Sequence, residues 1–201
     1  MVSIALIDDH PLAINGIGQW LISTGRFFIS GTAKNLKEAD ELLRGLNSLP
    51  KIIILDISLE ADDGLEFIPK LKYVCEERKE SIPKILVCSL YEDPFLVKRA
   101  VEAGANAYVP KSAELDEILK AIDALLEGGF YINPKYMTDK PHEAWSVLTS
   151  RENEIVTLLK RNISPGQIAK RLNISKRTVE NHLAHIYVKT NTNSREELLE
   201  L

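Results

Sequence analysis

The chain has two cysteines, Cys75 and Cys88, among its 201 residues. That is too few for a disulfide framework, and they stand at no metal-ligand spacing. Cys88 lies inside an apolar run, where a thiol reads as a core residue. No apolar run approaches the ~20 residues of a membrane span, so no membrane partner is expected. The first residues reach Asp8 and Asp9 after one short apolar segment and lack a basic n-region, which is not the pattern of a secretory signal. The expected location is the cytoplasm. Repeats and low-complexity tracts are missing too. What remains, 45% hydrophobic and 27% charged, is ordinary globular composition, and the length suits one large domain or two small ones.

Positive charge is scarce at first and then concentrated. Residues 1–140 hold 16 Lys and Arg against 22 Asp and Glu, whereas residues 160–189 hold 7 against 1. A basic patch on an acidic chain (net −4 overall) is the electrostatic footprint of a nucleic-acid site, although a solvated helix face has the same composition.

The most informative stretch is Lys51-Ile-Ile-Ile-Leu55-Asp56. A short continuous apolar run predicts a strand buried on both faces, as in parallel sheets. Asp56 then emerges at the strand's C-terminal end, the edge where open α/β sheets bind ligands. Similar runs recur at Val2–Ile7, Phe27–Ala33, Ile85–Cys88 and Ala107–Val109. Between them lie helical patterns. Pro11–Leu21 has proline in its first turn. Asn35-Leu-Lys-Glu38 is a capping box, Gly64 to about Glu76 reads as a helix, and Asp93-Pro94 opens another, to Ala103. Leu115–Leu126 is amphipathic and stops at Gly128-Gly129. Five strand–helix alternations over residues 1–127 predict a five-stranded parallel sheet with helices on both faces, flavodoxin-like order 2-1-3-4-5 being the natural candidate.

Residues 128–146 read as a linker. Residues 147–201 turn helical, with capping signals at Thr149-Ser-Arg-Glu152, Ser164-Pro-Gly-Gln167, Ser175 and Ser194-Arg-Glu-Glu197. Four short helices with a tight turn at Leu172-Asn-Ile-Ser175 predict an all-α helix-turn-helix domain.

Polar residues follow four of the apolar runs: Asp8 and Asp9, Asp56, Ser89, and Lys111. In a parallel sheet these ends share one edge. Crowded carboxylates repel, so the site requires a cation, and hard oxygen ligands suit Mg²⁺. A hydroxyl and an ammonium beside them would hold anionic oxygens. Each residue alone reads more simply, as a loop charge, a solvated lysine or a helix cap. Their coincidence at four strand ends points to phosphoryl transfer onto Asp56.

With Asp8-Asp9-His10-Pro11, Asp56 followed by Gly64, Ser89-Leu90 and Tyr108-Val-Pro-Lys111, residues 2–127 resemble the receiver domain of bacterial two-component response regulators. The resemblance implies that Asp56 accepts a phosphoryl group from a sensor histidine kinase. Asp9 would ligate Mg²⁺ with Asp8, Asp56 and the backbone carbonyl of Ser58. Ser89 and Lys111 would bind phosphoryl oxygens, and Tyr108 would turn inward as a switch. One departure is visible: the family usually has Met-Pro where this chain has Leu59-Glu60.

Leu148-Thr-Ser-Arg-Glu152, Gln167-Ile-Ala169, Leu172, Ile174-Ser175, Thr178-Val179, His182, Ile186 and Lys189 resemble the LuxR-type domain of the NarL/FixJ subfamily. Lys176–Lys189 would be the recognition helix, with Val179, Leu183 and Ile186 toward the core. Lys176, Arg177, Thr178 and Lys189 suit phosphate contacts, Asn181 suits adenine and Glu180 suits cytosine, with Ala184 and His185 also placed for DNA contact. The whole is expected to be a transcription regulator, not an enzyme, whose partners are double-stranded DNA, a histidine kinase and a second copy of itself. Two other readings compete. A constitutive DNA-binding protein with an unresponsive receiver would share the same residues. An aspartyl-phosphate phosphatase would need a second Asp where Ser58 stands.

Overall fold

A computed structural model describes residues 1–59, 62–133, 148–190, 192 and 194–200. Glu60 and the linker positions from 134 to 146 lie outside the described residues. The chain divides into two units, Met1–Thr138 and Asp139–Leu201.

The first unit is built on a parallel sheet. Strands β1 (Val2–Ile7), β2 (Phe27–Ala33), β3 (Ile52–Leu55), β6 (Lys84–Ser89), β7 (Ala107–Pro110) and β8 (Tyr131–Ile132) lie in the order β2-β1-β3-β6-β7-β8. A separate two-stranded hairpin joins β4 (Ser58–Leu59) to β5 (Asp62–Asp63). The first five strands of the sheet reproduce the expected order, but the sheet has six. The sixth, β8, arises within the stretch read as linker. Its two residues are too few to show a period, and it forms because β7 offers an open edge, with Ala107 opposite Tyr131 and Tyr108 opposite Ile132.

Helices α1 (Pro11–Ser23), α2 (Leu36–Gly45), α3 (Phe67–Arg78), α4 (Pro94–Ala103) and α5 (Leu115–Leu126) connect the strands. The helix expected to open at Gly64 begins instead as a 3-10 turn, Gly64–Glu66, with α3 following it. The central strands are apolar on both faces because both are covered: Ile4, Ala5, Leu6 and Ile7 are buried, as are Ile52, Ile53, Ile54 and Leu55. One face of the core gathers Leu21, Phe27, Ile54, Leu86, Ile118 and Ile122.

The second unit contains α6 (Ser150–Lys160), α7 (Pro165–Arg171), α8 (Lys176–Thr190) and α9 (Arg195–Glu200). A full capping box starts α6: the Glu152 N–H donates to Thr149 Oγ1 and the Thr149 N–H donates to the Glu152 carboxylate. The turn between α7 and α8 is made by Asn173 in the left-handed region (φ 51°), a conformation asparagine tolerates. The Ser175 hydroxyl then caps α8 by accepting from the Thr178 N–H at 3.0 Å. Ile155, Leu159, Ile168, Val179, Ile186 and Leu198 are buried in this unit. Among the described residues no helix is long and apolar enough to cross a membrane.

Candidate phosphoacceptor pocket and recognition helix

Backbone pairing continues past the strand ends and places the polar residues together. The Asp8 N–H donates to the Ala33 carbonyl, Asp56 N–H to the Ile7 carbonyl and Lys111 N–H to the Ser89 carbonyl. Each residue following a strand is thus held by the neighbouring strand, and their side chains leave at the same edge. The order β2-β1-β3 makes β1 and β3 neighbours, which brings Asp8, Asp9 and Asp56 side by side at the switch point.

Lys111 Nζ lies 2.6 Å from Asp8 Oδ2 and 2.7 Å from Asp56 Oδ2. The Ser58 N–H donates to Asp56 Oδ1 at 3.1 Å. His10 Nδ1 stands 2.6 Å from Asp9, 3.4 Å from Asp8 and 4.0 Å from Asp56. Asp56 is 2% exposed. Burial pushes its carboxyl up to about 6, with the Lys111 ammonium opposing and the Asp8 carboxylate adding to the rise. Burial pulls the Lys111 ammonium down, but Asp56 and Asp8 outweigh it and its pKa ends above the ordinary value. The Asp8 and Asp9 carboxylates beside it raise His10 to about 10, Asp9 being the nearer partner by distance.

Asp8, Asp9, His10 and Asp56 offer ligand atoms within 4.8 Å of one another, close enough to hold one metal ion. The donor set fits a hard divalent cation. Three carboxylates converge, and an ammonium and an imidazole already lie on their oxygens, meeting the demand for positive charge that a metal ion would also meet.

Ser89 and Tyr108 are both buried. The Ser89 hydroxyl accepts from the Tyr91 N–H at 3.3 Å, and the Tyr108 hydroxyl donates to the Tyr91 carbonyl at 2.8 Å. Tyr91 therefore joins the hydroxyl expected to meet phosphate to the aromatic expected to move. Tyr91 carries no sequence signal, and His10 stands in the Asp8–Pro11 motif without a role that spacing assigns. Gly64 has a steric reason for its place in the motif. A Cβ there would collide with the Asp56 carbonyl oxygen and lie 2.9 Å from Ile57 Cα.

On α8 the expected inner stripe of Val179, Leu183 and Ile186 is buried, while Lys176, Arg177, Glu180, Asn181, Ala184 and His185 are exposed. Two expected contact residues are engaged within the unit. Lys189 Nζ reaches the buried Glu152 carboxylate at 2.7 Å, and the Thr178 hydroxyl shares a 2.8 Å hydrogen bond with Ser175. Lys176 and Glu180 form an exposed i,i+4 pair at 3.3 Å. His182 is half-buried and not among the exposed residues.

Comparison with known proteins agrees with both units. Residues 4–123 match the response regulator receiver domain, and residues 146–201 match the luxR family of bacterial regulatory proteins. The chain is 28% identical over 218 residues to the transcriptional regulatory protein DegU of Brevibacillus brevis, covering 96% of this chain and 89% of DegU. It is 29% identical over 208 residues to the nitrate/nitrite response regulator protein NarL of Escherichia coli K12, covering 97% and 92%. A LuxR-family two-component response regulator from Aurantimonas sp. SI85-9A1 superposes with a TM-score of 0.58 at 26% identity, over 68% of this chain and 92% of that one. The chain belongs to the response regulator receiver family: it is a two-component response regulator whose second unit is a LuxR-type helix-turn-helix domain.

Proposed function

We propose that Asp56 receives a phosphoryl group from a sensor histidine kinase and that the modified chain binds double-stranded DNA through α8 to regulate transcription. The observation that carries this reading is the Asp56 carboxylate itself. It is buried at the end of β3, fixed by the Ser58 N–H and the Lys111 ammonium, and flanked by Asp8 and Asp9. In the transfer an Asp56 oxygen forms a bond to phosphorus as the donor's phosphorus–nitrogen bond breaks, and the leaving imidazole keeps the electron pair and takes up a proton.

Asp8, Asp9, Asp56 and the Ser58 carbonyl would hold Mg²⁺, which when bound supplies positive charge against the phosphoryl oxygens. Lys111 exchanges its carboxylate partner for a phosphoryl oxygen, and Ser89 donates its hydroxyl to another. Because the Ser89 hydroxyl accepts from the Tyr91 N–H, its movement changes the hydrogen bonding of the loop on which the Tyr108 hydroxyl rests. Asp56 is thus a switch and not a turnover site, and the chain acts as a cytoplasmic regulator, not as an enzyme.

On DNA, Lys176 and Arg177 meet phosphates, while Glu180, Asn181, Ala184 and His185 occupy the groove-facing surface. Thr178 and Lys189 act at the same face, Thr178 through the helix cap and Lys189 by tying α8 to Glu152. A homodimer would read two half-sites about one DNA turn apart or a multiple of it.

The test is intact-protein mass after incubation with acetyl phosphate and Mg²⁺, alongside DNA affinity of the same samples. A single phosphoryl adduct is expected on the native chain and none on Asp56→Asn, with tighter DNA binding by the modified form. Equal DNA affinity of modified and unmodified chains would contradict the reading.

A further inference from the structure

We propose that Arg99 is a positioning residue for the acceptor pocket: through Asp63 it holds the β4–β5 hairpin, and with it the Ser58 backbone, in the geometry that a divalent cation requires. This rests on the reading of Asp8, Asp9, Asp56 and the Ser58 carbonyl as cation ligands.

The hairpin has two residues in each strand, with Ser58 opposite Asp63 and Leu59 opposite Asp62. A ladder this short does not hold its own shape, since even longer isolated hairpins are marginal in water. Its position must come from tertiary anchors, among them three on the Asp63–Gly64 side. The Gly64 N–H donates to the Ile57 carbonyl at 2.9 Å. Asp63 Oδ1 accepts from the Leu65 N–H at 3.0 Å, capping the short 3-10 turn. Asp63 Oδ2 accepts from Arg99 at 2.9 Å.

The last of these crosses from the hairpin to α4. The Asp63 side chain is 6% exposed and that of Arg99 is 24% exposed. A carboxylate so far from water is costly without countercharge, and removing the Arg99 guanidinium loosens the backbone that carries it. That backbone is the one paired with Ser58. Ser58 in turn donates its N–H to Asp56 Oδ1, so any shift of β5 reaches both the carbonyl proposed as a ligand and the acceptor carboxylate. Gly64 closes the same path sterically, because it is packed against the Asp56 carbonyl without room for a Cβ. Arg99 touches neither the cation nor phosphate in this scheme. It acts through Asp63, as partners of metal ligands do elsewhere.

The test uses the full chain and Mn²⁺ as the probe, with free Mn²⁺ counted by its electron paramagnetic resonance signal. Arg99→Met removes the charge and keeps most of the stem. Asp63→Asn keeps an acceptor for the Leu65 N–H and removes the charge from the other side. Each is expected to weaken Mn²⁺ binding about tenfold, and Arg99→Lys is expected to stay within about twofold of native, because an ammonium still neutralises Asp63. The Mg²⁺ concentration giving half-maximal phosphoryl adduct should rise in parallel, with the rate at saturating Mg²⁺ near native. Native Mn²⁺ affinity in both Arg99→Met and Asp63→Asn would overturn the proposal. So would an Arg99→Lys chain as weak as Arg99→Met, since positive charge beside Asp63 would then not be what holds the hairpin. A native chain that binds Mn²⁺ yet forms no adduct would instead sink the phosphoacceptor reading, leaving the Mn²⁺ comparison to decide the role of Arg99.

Discussion

The two units each bury charge, and they do so in opposite ways. At the edge of the receiver sheet, three carboxylates meet one ammonium and one imidazole, and the cluster lies at a strand edge with His10 partly exposed. In the second unit Arg151 and Glu154 form a pair at 2.8 Å, one turn apart on α6, with side chains 4% and 0% exposed. Arg151 also donates to the Leu172 carbonyl at 3.0 Å, which fastens α6 to the end of α7. The Arg151–Glu154 pair is opposite in sign and enclosed. The receiver cluster carries surplus negative charge and is open to a partner. A balanced, enclosed pair can only support the fold, whereas a surplus of like charge held together by the fold is a cost to stability that chemistry can use.

Breaking the enclosed Arg151–Glu154 pair should cost the most. Arg151→Met takes the Arg151 guanidinium from the buried Glu154 carboxylate and removes the link to Leu172. It should cost the second unit about 3–5 kcal/mol. Urea unfolding followed by hydrogen exchange resolved to each unit should show the loss in α6–α8 alone, with the Asp56 adduct forming as in the native chain.

The receiver cluster should respond in the other direction. Burial raises Asp56 from 3.8 to about 6, so the folded state holds its proton more tightly than the unfolded state does. A carboxyl raised in this way is neutral in both states well below its unfolded value, and its opposition to folding grows from there to the folded value and is complete above it. Asp56→Asn in metal-free buffer should therefore stabilise the first unit by about 1 kcal/mol above pH 6, with no gain well below pH ~4. A loss of stability at neutral pH would show that the Lys111 contact outweighs the burial of charge.

The smallest effect on stability belongs to charges that are not buried. Lys176→Ala and Arg177→Ala should each leave the unfolding free energy within about 0.5 kcal/mol of native, since exposed charges and their i,i+4 pairs contribute little. DNA affinity measured against salt should instead fall for both, with the salt slope reduced by about one for each residue removed. An unchanged slope would remove them from the phosphate-contacting surface and sharpen the division between charges that hold the fold and charges that meet a partner.

Much of the receiver pocket was legible in the sequence because its residues follow apolar runs. Asp8, Asp9, Asp56, Ser89 and Lys111 each stand at such a boundary, and a parallel sheet has only one edge on which those boundaries can gather. Residues that act from inside helices or loops left no such mark. Arg99 and Asp63 lie 36 positions apart, and a lone arginine on α4 reads as a solvated charge until the fold sets it beside a buried carboxylate. Tyr91 takes part through its backbone, to which side-chain type is no guide. Lys189 suits a phosphate contact by its place on the recognition helix. Its engagement with Glu152, 37 positions earlier, depends on how α8 packs on α6.

The periodic elements, the caps that start the helices and the identity of the groups at the strand ends follow from near neighbours along the chain. Which charges neutralise one another and which are left over depends on the folded arrangement. That arrangement also added a sixth strand where the edge of β7 stood open. The energy of a charge depends on burial and on partners brought from distant segments, and neither is a property of the residue or of its neighbours in sequence.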